Sequence, residues 1–318
     1  MVLATMSRET YKVLVTGSNG QLGSELRELV GHASTNSATD VLTGCNRYEY
    51  VFADRATLDI TDKTAINKFV INHNIKIIVN CASYTAVDKS ESDFDAADAI
   101  NHIAVANMAT IAKQNNIKLM HVSTDYVFDG ENYRPYVESD ITNPQGVYGV
   151  TKLAGEQAIQ AINPPNAIII RTSWVYSYYG ANFVKTMIKL GAARDSLGVI
   201  FDQVGSPTYA KDLAVAIVEI IDKKDMLSAN GEGDNAVEIY NYSNEGVASW
   251  YDFAKEIMSI ADIDCDINAI ETIEYPTPAK RPHYSLLNKK KIKDTYSITI
   301  PYWKDSLKDC IKRLQKDL

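Results

Sequence analysis

The chain has no apolar run approaching the ~18 consecutive residues of a membrane-spanning helix. Residues 1–10 lack the apolar core of a signal peptide and read as a loose tail. A membrane role is therefore not expected. Cysteine is sparse: Cys45, Cys81, Cys265 and Cys310 are scattered over 318 residues with no close pair. That spacing speaks against a disulfide framework or a thiolate metal site and fits reduced thiols in the cytoplasm. The five histidines are dispersed too, with no pair at helical ligand spacing. Positive charge is outnumbered, 32 Lys and Arg against 40 Asp and Glu, a net charge of −8. Nucleic-acid binding without sequence preference needs the opposite balance. There is no internal repeat and no low-complexity tract.

What is present is an ordinary globular composition, 46% apolar and 23% charged, long enough for one large or two modest domains. Tyr11 to Val15 reads as a strand, followed at once by Thr16-Gly17-Ser18-Asn19-Gly20-Gln21-Leu22-Gly23. Gln21 to Val30 then has helical composition, with Leu22, Leu26, Leu29 and Val30 on one face. Strand, glycine turn and helix form the phosphate-binding opening of a dinucleotide fold: the glycines let the backbone approach a pyrophosphate at the positive end of the helix dipole. The spacing is G-x-x-G-x-x-G, and its place between strand and helix favours a cofactor role over a plain turn.

Residues 31–46 read as a long polar loop, and Tyr48 to Ala53 as the second strand, ending in Asp54-Arg55. A carboxylate after this strand binds the ribose 2′-hydroxyl of NAD, whereas an arginine accommodates the 2′-phosphate of NADP. Both are present, so the choice between NADH and NADPH stays open, and either residue also reads as surface charge. Leu58-Asp59-Ile60 is expected to be a third short strand end with Asp59 near an adenine; the alternative is a helix cap for Lys63 to Asn72. Ile77 to Asn80 has the uniform apolar character of a parallel strand buried on both faces. It ends in Cys81-Ala82-Ser83-Tyr84, the first three of them small residues that let a cofactor lie close. A long helix over Phe94 to Asn115 follows, and then a strand over Lys118 to Val122 that delivers Ser123 and Thr124. Tyr148 to Ala161 reads as a helix, and Ala167 to Arg171 as a further buried strand. This order, without hairpin signals, predicts an α/β doubly wound parallel sheet with its ligands at the carboxyl ends of the strands.

Tyr148 and Lys152 are four apart and share a face of their helix. The pairing predicts that Lys152 lowers the phenol's pKa from ~10 and that Thr124 holds the reacting oxygen. A surface helix with this common spacing is the bland alternative. The helix over Asn182 to Leu190, the strand over Leu197 to Phe201 and a last helix from Trp303 suggest a smaller interwoven α+β domain. A helix over Lys211 to Ile221 is expected to pack back on the sheet, Val237 to Asn241 to add a sheet strand, and Ser249 with Asp252 to cap a helix over Trp250 to Ile260. The expected division is 1–172 with 205–222 and 237–260 for the dinucleotide, and 173–204, 223–236 and 261–318 for the substrate.

NCASYTAVDKSES (80–92), STDYVFDG (123–130), VYGVTKLAGE (147–156), RTSWVYS (171–177), NFVKTM (182–187), FDQVGSPT (201–208) and YPTPAKRP (275–282) together carry a family resemblance. From Val13 to about Trp303 the chain resembles the Rossmann-like extended short-chain dehydrogenases/reductases (extended SDR), and within them the dTDP-4-dehydrorhamnose reductases. The resemblance implies a Thr124–Tyr148–Lys152 triad, with NADPH or NADH delivering hydride to a sugar C4 carbonyl and Tyr148 supplying the proton. Lys152 would hold the nicotinamide ribose. Gly17, Asn19, Gly20, Gln21, Leu22, Gly23, Asp59, Ile60, Ala82, Ser83 and Tyr84, with Asp54 or Arg55, would line the cofactor. Thr124, Asp125, Tyr126, Trp174, Asn182 and Arg281 would face the sugar nucleotide. Trp174 would pack on the sugar ring unless it is a core aromatic, and Arg281 would meet the diphosphate unless it is merely solvated. Some relatives are joined as homodimers through glutamate-bound magnesium; those glutamates are not matched here, so a homodimer is an expectation without a metal. Sugar-nucleotide 4,6-dehydratases are disfavoured, because Tyr126 stands where their acid/base glutamate follows Thr-Asp. Epimerases are disfavoured by the STD strand end. A cofactor-binding regulatory subunit, like the β subunit of methionine adenosyltransferase, is the rival from a different class.

Overall fold

The computed structural model describes residues 10–33, 47–223 and 237–316. Most of the expected N-terminal tail, residues 34–46 of the polar loop, and Cys45 lie outside the described residues. In chain order the elements are β1 (Tyr11–Thr16), α1 (Gln21–Ala33), β2 (Tyr48–Ala53), α2 (Lys63–Asn72), β3 (Ile75–Asn80), α3 (Val87–Ser90), α4 (Phe94–Asp98), α5 (Ala104–Gln114), β4 (Lys118–Thr124), α6 (Val147–Ile162) and β5 (Ile168–Thr172). There follow β6 (Val175–Tyr176), α7 (Phe183–Gly191), β7 (Ser196–Ile200), β8 (Val204–Gly205), β9 (Thr208–Tyr209), α8 (Ala210–Lys223), β10 (Glu238–Asn241), β11 (Ala248–Ser249), α9 (Trp250–Ala261), β12 (Asp266–Ile270), α10 (Lys290–Tyr296) and α11 (Trp303–Gln315).

Among the described residues one parallel sheet runs β10-β5-β4-β3-β1-β2. Strands β3, β4 and β5 are covered on both faces by helices, which is why their sequences are apolar without alternation. The chain leaves β1 towards β2 on one side and returns to β3 on the other. The strand order therefore reverses between β1 and β3, where a doubly wound sheet opens a crevice at its carboxyl edge. Two core clusters sandwich the sheet: Val13, Val15 and α8 on one face, Leu14, Ile78 and α5 on the other. A third cluster joins α7, α9, α11, β7 and β12 around Phe253, Ile257, Trp303 and Leu307.

Two expectations need correction. Leu58–Ile60 is not a strand. Leu58 is buried against the sheet, but Asp59 accepts from the Thr61 backbone N–H (2.9 Å) and hydroxyl (2.7 Å), a side-chain turn that takes the chain out of extended geometry. The cap of α2 is Asp62, which accepts from the N–H groups of Thr64 and Ala65. The helix expected over 94–115 is continuous but carries a π turn, Ala99–Ile103, between α4 and α5. That turn rotates Asn101 inwards to the carboxyl end of β3.

Helix α6 is pinned to the sheet by charge. Arg171 in β5 forks onto Glu156, with Nη2 2.7 Å from Oε2 and Nε 3.1 Å from Oε1, and both side chains are almost wholly buried. Burying this pair gives no guarantee of net stability, but stripping one partner leaves an uncompensated charge inside the protein. Glu156→Ala should therefore cost about 3–5 kcal/mol in denaturant unfolding. A loss under about 1 kcal/mol would show that water or Glu138 relieves Arg171.

Candidate active site and cofactor cleft

The glycine turn closes the crevice from the β1 side. Gly17 has φ +66°, and a Cβ there would lie 2.6 Å from the Ala82 nitrogen, so the two strand ends meet backbone to backbone. Beyond it α1 presents its N-terminus. The Ser18 and Ser123 hydroxyls are buried along this edge with no partner among the described residues. A tight turn, a free helix N-terminus and unsatisfied hydroxyls at a switch point fit a dinucleotide. Asp54 projects to the turn: its carboxylate accepts from Asn19 Nδ2 (2.8 Å) and from Thr57. These hydrogen bonds, Thr57 first, hold its pKa below the usual value. Arg55, one residue on, is exposed. Leu22 is a core residue under the turn, and Ile60 packs against the second core, so their side chains belong to packing. Gln21 accepts from Asn182 Nδ2 at 3.1 Å.

Across the crevice, Asn101 clamps the segment after β3. It accepts from the Ser83 hydroxyl and the Tyr84 N–H, both at 2.9 Å, and donates to the Tyr84 carbonyl and towards Thr151 on α6. Sequence reasoning missed this residue, because only the π turn aims it inwards.

Thr124, at the end of β4, opens a 3₁₀ turn over Asp125–Val127; its hydroxyl accepts from the Tyr126 N–H at 3.2 Å and donates to Asp125 Oδ1 at 3.0 Å. Tyr148, half-buried on the first turn of α6, stands over this end. Its ring meets that of Tyr126 edge-on at 5.4 Å. The amide of Val147 is held by Glu91 Oε1 at 2.9 Å, which fixes where α6 begins.

The electrostatics reverse one expectation. The Tyr148 phenol is raised above its ordinary value, by burial first and by Asp125, against hydrogen bonds with Thr124 and Ser83 that favour the phenolate. Lys152 does not lower it, because the ammonium turns away: Nζ lies 2.7 Å from the Val122 carbonyl oxygen and 3.4 Å from His121 Nε2. Helical spacing put both residues on one face, but the flexible stem of lysine chose the partner. Lys152 is itself pulled down to about 8 by burial, with Glu156 opposing. Asp125 is pushed up to about 6, again by burial.

A cleft of about 690 Å³ opens between α7, β7 and the loop before Arg281, with Phe183, Trp250, Leu197 and the exposed Arg194 on its walls. Arg281 connects it to the tyrosines: Nη2 bonds Asp88 at 2.7 Å and Nη1 the Tyr126 hydroxyl at 3.2 Å. Thus Thr124, Asp125, Tyr126, Tyr148 and Arg281 come together. Two expected substrate residues do not join them. Trp174 is half-buried and stacked on Trp250 at 3.7 Å, with Gly205 so near that a Cβ there would touch the indole, so packing takes one face of the ring. Asn182 is spent on capping α7 through the Lys185 N–H and on bonds to Ser177 and Gln21.

A family model, the RmlD substrate binding domain, matches residues 11–316. The chain is 38% identical over 304 residues to the dTDP-4-dehydrorhamnose reductase of Aggregatibacter actinomycetemcomitans, covering 94% of this chain and 97% of that protein. It is 39% identical to the enzyme of the same name from Sinorhizobium fredii, covering 93% and 95%. Among solved structures it resembles the dTDP-4-dehydrorhamnose reductase of Clostridium acetobutylicum (TM-score 0.84, 40% identity, 96% of this chain and 99% of that one). It also resembles that of Bacillus anthracis in complex with NADP (TM-score 0.83, 34% identity, 96% and 99%).

The raised Asp125 carboxyl has a stability consequence. A carboxyl whose folded value exceeds its unfolded value of 3.8 stabilises the fold fully below that value, and loses the contribution as pH rises through about 6. Asp125→Asn, which keeps the neutral shape, should raise unfolding free energy by about 1–3 kcal/mol at pH 7.5 and leave it nearly unchanged at pH 3.5. Thermal unfolding of both proteins at the two pH values checks this; an equal effect at both would remove the titration as its cause.

Proposed function

The chain belongs to the RmlD substrate binding domain family, and from that premise we propose that it reduces the C4 keto group of dTDP-4-dehydro-L-rhamnose to give dTDP-L-rhamnose. The nicotinamide, when bound, supplies a hydride to the carbonyl carbon. The observation that carries the chain's own part is the neutral phenol of Tyr148, beside Thr124 and Ser83 and linked through Tyr126 and Arg281 to a cleft of nucleotide size.

Reduction of a ketone needs an acid at the oxygen, and a tyrosine held above its usual value is protonated at pH 7 and able to serve. The phenol O–H breaks, the alcohol O–H forms, and the phenolate left behind is met by the hydroxyls of Thr124 and Ser83, whose single protons turn to it from Asp125 and Asn101. Thr124 also orients the carbonyl oxygen. Lys152, anchored by Val122, holds the nicotinamide ribose. Arg281 and Arg194 supply the positive charge that a diphosphate requires; Asp88 and Tyr126 leave donors of the Arg281 guanidinium unused. The apolar wall of Phe183, Trp250 and Leu197 takes the base. The part of the chain gathered around the third core (α7, α9, α11, β7 and β12) forms the substrate side, and the sheet with its flanking helices forms the cofactor side. This takes α9 out of the expected dinucleotide division, because its buried face packs on α7 and α11. The bond from Asn19 to Asp54 sets a carboxylate, rather than Arg55, against the glycine turn, where it accepts the ribose 2′-hydroxyl and discourages a 2′-phosphate.

Tyr148→Phe should lower kcat at least ~10³-fold while NADPH binding, followed by nicotinamide fluorescence, stays within about threefold of the parent. A variant turning over at near-parental rate would remove the phenol as acid. Asp54→Ala should raise the ratio of kcat/KM for NADPH over NADH by about tenfold, the size of one lost charge-assisted contact. An unchanged ratio would leave Arg55 in control.

A further inference from the structure

Lys152 has a neighbour that a permanent ammonium would not choose. Its Nζ donates to the Val122 carbonyl oxygen and lies 3.4 Å from His121 Nε2, with both side chains buried. The tautomer of His121 follows from contacts further along. The backbone N–H of Ala82 lies 3.1 Å from Asn80 Oδ1. An N–H can only donate, so the atom facing it must be the carboxamide oxygen. The Thr16 hydroxyl donates to the same oxygen at 2.6 Å. The Asn80 amide nitrogen is then the group 2.9 Å from His121 Nδ1, and it too can only donate. Nδ1 therefore accepts, and the ring proton of the neutral imidazole sits on Nε2, aimed at Lys152. An imidazolium would set two donors face to face at Nδ1. A lone pair on Lys152 Nζ receives the Nε2–H; an ammonium has none, whereas an amine has one and still donates to Val122.

We propose that Asn80 and His121 are positioning residues that favour the free-amine form of Lys152 in the cofactor-free protein, so that binding of the nicotinamide dinucleotide draws a proton onto Lys152. The inference rests on the reading that Lys152 holds the cofactor's ribose, whose hydroxyl oxygens supply the acceptors that an ammonium needs.

The other groups around Lys152 act as follows. On its own helix, Glu156 favours the ammonium, but Arg171 on β5 shares that carboxylate. Tyr148, one turn earlier, is neutral. After β3, Cys81 is a neutral thiol pushed up to about 12 by burial. His121 on β4 is held well below its ordinary value, so it stays neutral. Burial draws Lys152 down to about 8, within reach of the pH at which the protein is handled. Because that folded value is below the usual 10.5, the amine gains population as pH rises through it. Cofactor affinity, which draws on the ammonium, then falls roughly tenfold per pH unit above it.

The test is calorimetric titration of the protein with NADPH, without sugar, at pH 8.5 in buffers of different ionisation enthalpy. At that pH the 2′-phosphate, with its pKa near ~6, is fully ionised and contributes nothing. The expected result is net uptake of more than half a proton per NADPH (~0.5 or above, as half-titration near pH 8 requires). Uptake should vanish in Lys152→Met and shrink at least twofold in His121→Leu, with NADPH still bound by the latter. Uptake that survives unchanged in His121→Leu overturns the proposal and leaves the ribose reading intact. No uptake in the parent, together with weakened binding in Lys152→Met, does the same. Unchanged NADPH affinity in Lys152→Met overturns the ribose reading and the proposal with it. If His121→Leu does not fold, nitrogen-15 NMR of the imidazoles in the parent protein decides: Nε2–H on His121 is expected, and Nδ1–H overturns the proposal.

Discussion

The carboxamide of Asn80 is the point on which the site depends. It stands at the carboxyl end of β3, takes the Thr16 hydroxyl from β1 and the Ala82 N–H from its own turn, and donates to His121 on β4. The carboxyl ends of β1 and β3 and the middle of β4 are thereby locked together where the sheet order reverses. A buried polar network of this kind is worth keeping only when every member is satisfied; here each atom of the amide with a partner in the seam has one of the right sense. Removing the amide would leave the Thr16 hydroxyl, the Ala82 N–H and His121 to compete for alternatives at the floor of the cofactor crevice.

The elements that build this floor were legible because their signals are local. A strand ending in spaced glycines, apolar runs for β3, β4 and β5, and a helix with Leu22, Leu26, Leu29 and Val30 on one face all announce themselves within about ten residues. The misreadings have the same root. Leu58 to Ile60 has apolar ends that suit a strand, but Asp59 bonds its own backbone neighbours and turns the chain. Tyr148 and Lys152 share a helical face as their spacing demands, yet the direction of a four-carbon stem depends on the Val122 carbonyl thirty residues earlier. No spacing rule records that.

The contacts that escaped sequence reading are those whose partners lie far away. Asn101 acquires its place only through a π turn, and its contacts with Tyr84 and Thr151 span 17 and 50 positions. Arg281 reaches Asp88 across 193 positions and Tyr126 across 155, joining the last third of the chain to the strand ends. Trp174 was read as an aromatic platform because it follows a strand end in the right motif. Its stacking on Trp250 ties the segment after β5 to α9. In each instance the residue type was visible and the tertiary neighbour was not.

A chain of net charge −8 that binds an anionic cofactor and an anionic sugar nucleotide must confine its positive potential to the site. In the proposed function the helix N-terminus of α1 serves one ligand without any ionisable group, and Arg281 and Arg194 serve the other. Between them lie Tyr148 and Lys152, and burial moves both towards neutrality: the phenol keeps its proton and the amine tends to lose one. Low dielectric makes every uncompensated charge there expensive, so the centre carries little charge until ligands arrive to balance it. On that account the acid of the proposed reaction and the anchor of its cofactor are set by one physical cause, exclusion of water at the carboxyl ends of β3 and β4. Their protonation states then depend on what is bound rather than on the surrounding pH alone.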